Sequence, residues 1–281
     1  MNITKVIIPV AGLGTRFLPV TKSIPKAMLP IWNTPSIHYA VKEAVSAGIK
    51  EVIIVMSRGQ ESIIEYFEKP LEMEKKLKNK DVLSEFYEIK KKSSINLVYQ
   101  DTPLGLGDAI LQCKDIIGCE PFGIILPDDL ILGQKSIIGE MCKIYLQKRL
   151  SVIALKKVPK KLLPNLGVVE AKKITTSIYQ ISKMVEKPQI INAPSDLAII
   201  GRYILPYEIF NILEKTNSGI NGEIQLTDAV SVLNKTKGVL GYEFSEIHFD
   251  VGTPGGLLQA SIYESLQDKK LYDEIKSLID F

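Results

Sequence analysis

Four stretches of the chain are apolar without alternation: Val6 to Val10, Val52 to Met56, Phe122 to Leu126 and Ser151 to Leu155. Uninterrupted runs of this length describe strands buried on both faces, as in a parallel sheet covered by helices. Between the first two, Ile37, Ala40, Val41, Ala44 and Val45 recur at helical spacing, with Pro35 placed for the first turn and Gly48 for the stop. The pattern predicts a βαβ unit. A helix after Gly59, a strand over Ile95 to Tyr99 and a helix from about Gly107 to Ile116 continue the alternation.

The segment from Glu68 to Lys92 departs from this pattern. Lys and Glu dominate it, Leu71, Leu77, Leu83 and Phe86 are its apolar anchors, and it reads as a peripheral helical insertion. From Gly167 the segments shorten and alternate (Val168-Val169, Ile178 to Met184, Leu197 to Ile204), which predicts a smaller mixed sheet extending the first; Gly255 to Phe281 reads as helical. The fold class is therefore α/β, a Rossmann-like, mostly parallel central sheet flanked by helices, with a smaller mixed-sheet region. No repeat, low-complexity tract or linker divides the 281 residues. One domain is expected over 1–281, with an N-terminal part to about 160 and a C-terminal part from 161.

With 46% hydrophobic and 24% charged residues the composition is that of an ordinary globular chain. A net charge of +3, with basic and acidic residues interleaved, argues against nucleic acid as a partner, and Lys90-Lys91-Lys92 reads as a solvated helix end. No apolar run approaches membrane-spanning length, and Met1 leads into a strand within a few residues, so no membrane partner and a cytoplasmic location are expected. Cys113, Cys119 and Cys142 form no CxxC pair and read as small buried thiols. His38 and His248 have no Ser or Cys nucleophile motif around them and read as structural.

The chemistry begins where the first strand ends, at Ala11-Gly12-Leu13-Gly14-Thr15-Arg16-Phe17-Leu18-Pro19, with Lys22 and Lys26 close behind. Glycines let backbone N–H groups approach a phosphate or base edge, and Arg16 and Lys26 add full positive charge. Phe17 stands where a dinucleotide fingerprint needs a small residue, and Thr21-Lys22-Ser23 lacks the glycine of a P-loop. Ligands of an open parallel sheet bind at the carboxyl ends of its strands. That edge would receive this loop, Gln100 with Pro103 to Gly107, and Asp128-Asp129. Asp128-Asp129 alone could be a turn and cap, but Phe249-Asp250-Val251-Gly252 supplies another carboxylate at a strand end. Two carboxylates with few other ligands suit Mg²⁺, and the lack of His and Cys clusters argues against zinc. Glu186-Lys187-Pro188 at the end of a further strand could divide its labour between sugar hydroxyls and a phosphate.

Taken in order, these residues resemble the sugar-1-phosphate nucleotidylyltransferases over nearly the whole chain. The likeness lies in the Ala11 to Pro19 loop with Lys26-Ala27-Met28-Leu29-Pro30, Gln100 with Gly105-Leu106-Gly107, Leu126-Pro127-Asp128-Asp129, Glu186-Lys187-Pro188, Gly201-Arg202-Tyr203 and Gly222 to Ala229. Ala11-Gly12-Leu13-Gly14, the insertion from about Glu68 and Glu223-Ile224-Gln225-Leu226-Thr227-Asp228 point to the uridylyl branch. Two departures stand out: Ala27, where the family commonly has glutamate, and the run Thr253-Pro254-Gly255-Gly256 after Asp250.

The resemblance implies transfer of the uridylyl group of UTP to α-D-glucose 1-phosphate, giving UDP-glucose and pyrophosphate, by Mg²⁺-assisted in-line attack. It further implies that Ala11, Gly12, Gly105 and the Gln100 side chain read the uracil, with Gly14 and Thr15 completing the nucleotide loop. Arg16 and Lys26 would bind the triphosphate and, with Asp128, form the catalytic set. Asp128 and Asp250 would hold Mg²⁺, and Gly167, Glu186 and Lys187 the sugar phosphate. Relatives of this kind assemble as dimers or tetramers, so a homo-oligomer is expected. The alternatives are thymidylyl transfer to the same sugar phosphate and a non-catalytic paralogue that binds sugar nucleotides.

Overall fold

A computed structural model of the chain describes residues 2–68, 74, 76, 83–219 and 222–279. The first half runs β1 (Lys5–Pro9), a short hairpin β2 (Pro30–Ile31) and β3 (Thr34–Pro35), α1 (Ser36–Ser46), β4 (Glu51–Met56), α2 (Ser62–Glu68), α3 (Ser84–Lys92), β5 (Ser94–Tyr99), α4 (Leu106–Leu111), α5 (Lys114–Ile117), β6 (Phe122–Ile125), β7 (Asp129–Leu132), α6 (Ile137–Lys148) and β8 (Ser151–Lys157). The second half runs β9 (Gly167–Lys173), β10 (Ile178–Glu186), β11 (Leu197–Leu205), α7 (Ile209–Leu213), α8 (Leu226–Lys237), β12 (Val239–Glu243), β13 (Ile247–Asp250), α9 (Pro254–Ser265) and α10 (Lys269–Ile279).

The expected α/β alternation holds, and the smaller mixed region extends the first sheet as expected, giving one sheet ordered β5-β4-β1-β6-β11-β8-β12-β10-β9. Seven strands share the direction of β1; β10 and β11 run against it. The Ser151 strand therefore does not adjoin the other parallel runs, because β11 is threaded antiparallel between β6 and β8. Every position of β11 is buried, and a fully apolar run carries no sign of its direction. At the far edge β9 pairs with β10 and also with β11, Ala198 opposite Val168, so this end of the sheet curls onto itself.

Alternate residues of the strands feed two cores, as the pleat requires. Val6, Ile8, Val52 and Ile54 pack with Ile37, Val41, Ile138 and Met141 of α1 and α6 on one face. Ile7, Ile53, Val55 and Ile124 pack with Ile110, Phe210 and Leu233 of α4, α7 and α8 on the other.

Local expectations fared unevenly. Pro35 caps α1 rather than entering its first turn. The helix expected from Gly107 to Ile116 is broken into α4 and α5 around the buried Cys113. Cys113 and Cys142 are buried and burial pushes both thiols up to about 12, whereas Cys119, expected inside, is exposed. Leu71 and Leu77 of the insertion lie outside the described residues. Its last part, α3, is anchored: Ile89 is buried, and Phe86 lies against His38, Tyr66 and Phe67. His38 bridges Tyr66 (2.9 Å) and Glu85 (3.0 Å), a structural use, and Lys90 to Lys92 are exposed at the end of the helix.

One buried ion pair ties β11 to the first half. Arg202, 2% exposed, donates from Nε to Glu43 Oε2 (2.9 Å), with Nη2 2.8 Å from the same carboxylate; Nη1 donates to the carbonyls of Leu126 and Gly201 (both 3.0 Å). Glu43 Oε1 accepts from the Ile138 N–H (3.0 Å). Replacing Arg202 leaves the Glu43 carboxylate, 12% exposed, without its counter-ion. Arg202→Met should cost about 3–5 kcal/mol of folding free energy by urea unfolding, and a loss under ~1 kcal/mol would show that the pair does not fasten the strand.

Candidate active site

The common direction of β1, β4, β5 and β6 brings the Ala11 loop, Gln100 to Gly107 and Leu126 to Asp129 to one sheet edge. They enclose a cleft of about 490 Å³. Ala11, Gly12, Gly14, Thr15, Lys26, Gln100, Gly105 and Asp128, all singled out from sequence, line it. Arg16 stands outside this lining, exposed, with no ion pair among the described residues.

Gln100 is buried, and its Nε2 donates to Gly105 O (3.1 Å) and Asp108 Oδ2 (2.7 Å). Its amide N–H₂ thus fastens the glycine turn, leaving the carbonyl end of the side chain as the group available to a base. Gly105 has φ +96°, and a Cβ there would lie 2.7 Å from Glu223 Cβ. The Gly107 N–H donates to Ile224 O and the Ile224 N–H to Leu104 O (both 2.8 Å). Glu223, which also lines the cleft, is a wall that sequence reasoning left without a role; its motif was visible, its contact with Gly105 was not.

The acidic side is built by a two-stranded ribbon. β7 pairs antiparallel with β13, Asp129 opposite Asp250, and the Val251 N–H donates to Asp128 O (2.8 Å). Asp128 and Asp250 meet over Gly252, where a Cβ would stand 2.9 Å from Asp250 Oδ1 and 3.2 Å from Asp128 Oδ2. Lys26 Nζ reaches Asp128 Oδ2 at 2.8 Å. Burial raises the Asp128 carboxyl, but the charge and hydrogen bond of Lys26, with help from Arg16, outweigh it and hold the group below its ordinary range. Asp250 goes the other way, raised first by burial and then by Asp129 and Asp128. Among the described residues no cluster of three or more His, Cys, Asp or Glu is arranged to hold a metal. Two carboxylates converging on one point, one of them raised by its acidic neighbours, are instead a donor pair that a hard divalent cation would relieve.

Of the two departures from the family pattern, the run after Asp250 has a local explanation. Ala27 is buried and its carbonyl accepts from Ser36 Oγ (3.1 Å). The Thr253 side chain caps α9 by accepting from the Gly256 N–H (3.2 Å), with Pro254 in the first turn, and a Cβ on Gly256 would fall 1.8 Å from Asp250 O. The run after Asp250 is thus a tight cap that needs its glycine.

Gly167, Glu186 and Lys187 are also brought together. Gly167 lies opposite Glu186 in the β9–β10 ladder, and a Cβ on it would stand 3.2 Å from Glu186 Oε2. Lys187 adopts φ +46°, an uncommon conformation for a side chain of this kind, and Nζ stays 3.6 Å from Glu186 Oε1. Tyr203 links this group to the acids. Burial raises its phenol, and Glu186, Asp129 and Asp128 add to the effect. The tyrosine stood in a motif read from the sequence, but nothing local marked it as lying between two clusters.

A glycine-lined cleft with its own cations beside a pair of acids is what nucleotidyl transfer needs, and the chain belongs to the nucleotidyl transferase family, whose pattern matches residues 5–265. Its relatives narrow the class. It is 41% identical over 285 residues to UTP--glucose-1-phosphate uridylyltransferase 2 of Streptococcus pyogenes serotype M3, covering 99% of this chain and 95% of the relative. A UDP-glucose pyrophosphorylase solved with UDP-glucose superimposes with a TM-score of 0.89 at 39% identity, over 95% of this chain and 100% of that one. A UTP-bound enzyme of the same kind from Acinetobacter baumannii gives 0.87 at 37% identity, over 99% and 98%.

The raised Asp250 carboxyl has a consequence for stability. Ionising it costs the folded chain more than the unfolded chain, so the penalty is absent below the ordinary carboxylate range and grows as the pH rises through that range to neutrality. In EDTA at about pH 7, Asp250→Asn should raise the melting temperature by about 2–4 °C for each kcal/mol of repulsion removed. The gain should shrink as the pH falls toward 4. An equal or lower melting temperature at neutral pH would show that no such repulsion exists.

Proposed function

We infer that this chain transfers the uridylyl group of UTP to α-D-glucose 1-phosphate, releasing pyrophosphate and forming UDP-glucose. The observation that carries this is the full-length likeness, near 40% identity, to enzymes solved with UDP-glucose and with UTP, on a fold whose cleft joins the glycine loop to the paired acids. No described helix is long and apolar enough to cross a membrane.

The roles are those the family resemblance implies, and the cleft and the paired acids support them. The nucleotide-binding part, to about residue 160, takes UTP: the glycine turn at Gly105, Ala11 and Gly12, and the free carbonyl end of Gln100, face the uracil, while Gly14 and Thr15 lie along the phosphates. Arg16 at the rim and Lys26 at the floor answer the triphosphate charge. The part from 161 holds the sugar phosphate, Glu186 accepting from sugar hydroxyls, Lys187 meeting the phosphate, and Gly167 leaving room beside them. Asp128 and Asp250 hold Mg²⁺. The ion supplies charge neutralisation where two polyanions approach.

The phosphate of glucose 1-phosphate is already an anion at neutral pH, so its oxygen attacks the α-phosphorus of UTP without a general base. The α–β bridging bond breaks, and pyrophosphate leaves with the electron pair. The work of this chain is alignment and neutralisation. Lys26, shared with Asp128 before substrate arrives, turns to the phosphates as they enter. A homo-oligomer, dimer or tetramer, belongs to the same reading and is read directly by sedimentation.

Pyrophosphate release with Mg²⁺ and glucose 1-phosphate, run in parallel with UTP, dTTP, ATP and GTP, should be fastest with UTP. Preference for dTTP would move the chain to thymidylyl transfer, and no release with any would make it a binding paralogue. Arg16→Ala should lower turnover at saturating UTP by about 10²–10³; turnover within ~3-fold of the native chain would remove Arg16 from the chemistry.

A further inference from the structure

Asp129 and Asp250 stand directly opposite one another in the β7–β13 ribbon. Like charges in that position repel. Yet Asp129 is turned away from the Asp128–Asp250 pair. Its Oδ2 accepts from the Gly201 N–H (3.0 Å), an approach that a side chain at 201 would block, since a Cβ there would lie 2.5 Å from that oxygen. Its Oδ1 pairs with His248 Nε2 at 2.7 Å. His248 is opposite Ile131 and thus shares one ribbon face with Asp129 and Asp250, and its side chain is only 11% exposed.

We propose that His248 is a positioning residue for the cation site: by holding Asp129 against Gly201 it leaves Asp128 and Asp250 as the two carboxylates open to a divalent ion. The proposal rests on the assignment of Mg²⁺ to Asp128 and Asp250. Without the imidazole, Asp129 keeps one anchor of two and turns across the ribbon toward Asp250, where it competes with and displaces it. Partners of this kind, one shell out from the ligands, commonly govern metal affinity by about 10–100-fold.

The test is Mn²⁺ binding to the full chain without substrates, followed by electron paramagnetic resonance, with melting curves recorded for each variant. His248→Met, which keeps the bulk and loses the donor, should weaken Mn²⁺ binding about tenfold. His248→Gln, whose amide reaches Asp129, should restore most of it. In an Asp129→Asn background the same His248→Met change should alter binding by less than about twofold, because the charge it restrains is gone. Should His248→Met fail to fold, His248→Asn, too short to reach Asp129, takes its place with the same expectation. Superimposable titrations of the donor-less variant and the native chain, or an equal loss with and without Asp129→Asn, would overturn the proposal. Asp250→Asn separates the two levels: if it binds Mn²⁺ as the native chain does, the cation is held elsewhere and both the assignment and the role of His248 fall.

Discussion

The turn from Leu126 to Asp129 is the part on which the rest of the site depends, because it carries the carboxylate that meets Lys26 and must do so at the junction of three elements. It is fastened from every side. The Leu126 N–H donates to Gly201 O, Leu126 O takes the Arg202 guanidinium, Asp128 O takes the Val251 N–H, and Asp129 takes the Gly201 N–H. Those partners come from β11 and from the segment after β13, far away in the chain. One bond of the turn is its own, from the Asp129 N–H to Leu126 O (3.2 Å); the rest of its preorganisation comes from strand pairing and a buried ion pair, and Asp128 is presented at a fixed height in the cleft. Preorganisation of this kind is what lets electrostatic groups act without rearranging at the moment of reaction.

The electrostatics are balanced in a way that suits polyanionic substrates. Asp128, Asp129, Asp250 and Glu186 stand near Lys26, Arg16 and Lys187, so neither sign is left alone. Lys26 holds Asp128 below its ordinary range while Asp250 is pushed above it. Two carboxylates so close, moved in opposite directions, differ in how tightly each is already satisfied. The less satisfied one has most to gain from a cation.

Much of this was legible in the sequence, and what was not has a common cause. Apolar runs located the strands, and the glycine loop, Lys26, Asp128 and Asp250 were found by residue type and by their places at strand ends. The direction of β11 was hidden because a strand buried on both faces reads the same from either end. Asp129 was left without a role because its partners, Gly201 and His248, are 72 and 119 positions away. Gln100 was legible as a polar group at a strand end, but which end of its amide remains free is decided by Gly105 and Asp108. Cys119 was expected inside because small thiols usually are, and nothing local showed that the chain leaves the core there. Periodicity reports burial and composition reports charge; neither reports who pairs with whom across a hundred residues.

The threading of β11 has a mechanical meaning. The strand bonds to β6 along one side and to β8 along the other, both from the first half of the chain, and it touches β9 at the curled edge. Parting β11 from β6 would shear an antiparallel ladder and extract a buried guanidinium. The positions proposed for the nucleotide and for the sugar phosphate are thus joined through one continuous hydrogen-bonded sheet. The spacing between the two proposed substrate positions is then written into the order of the strands.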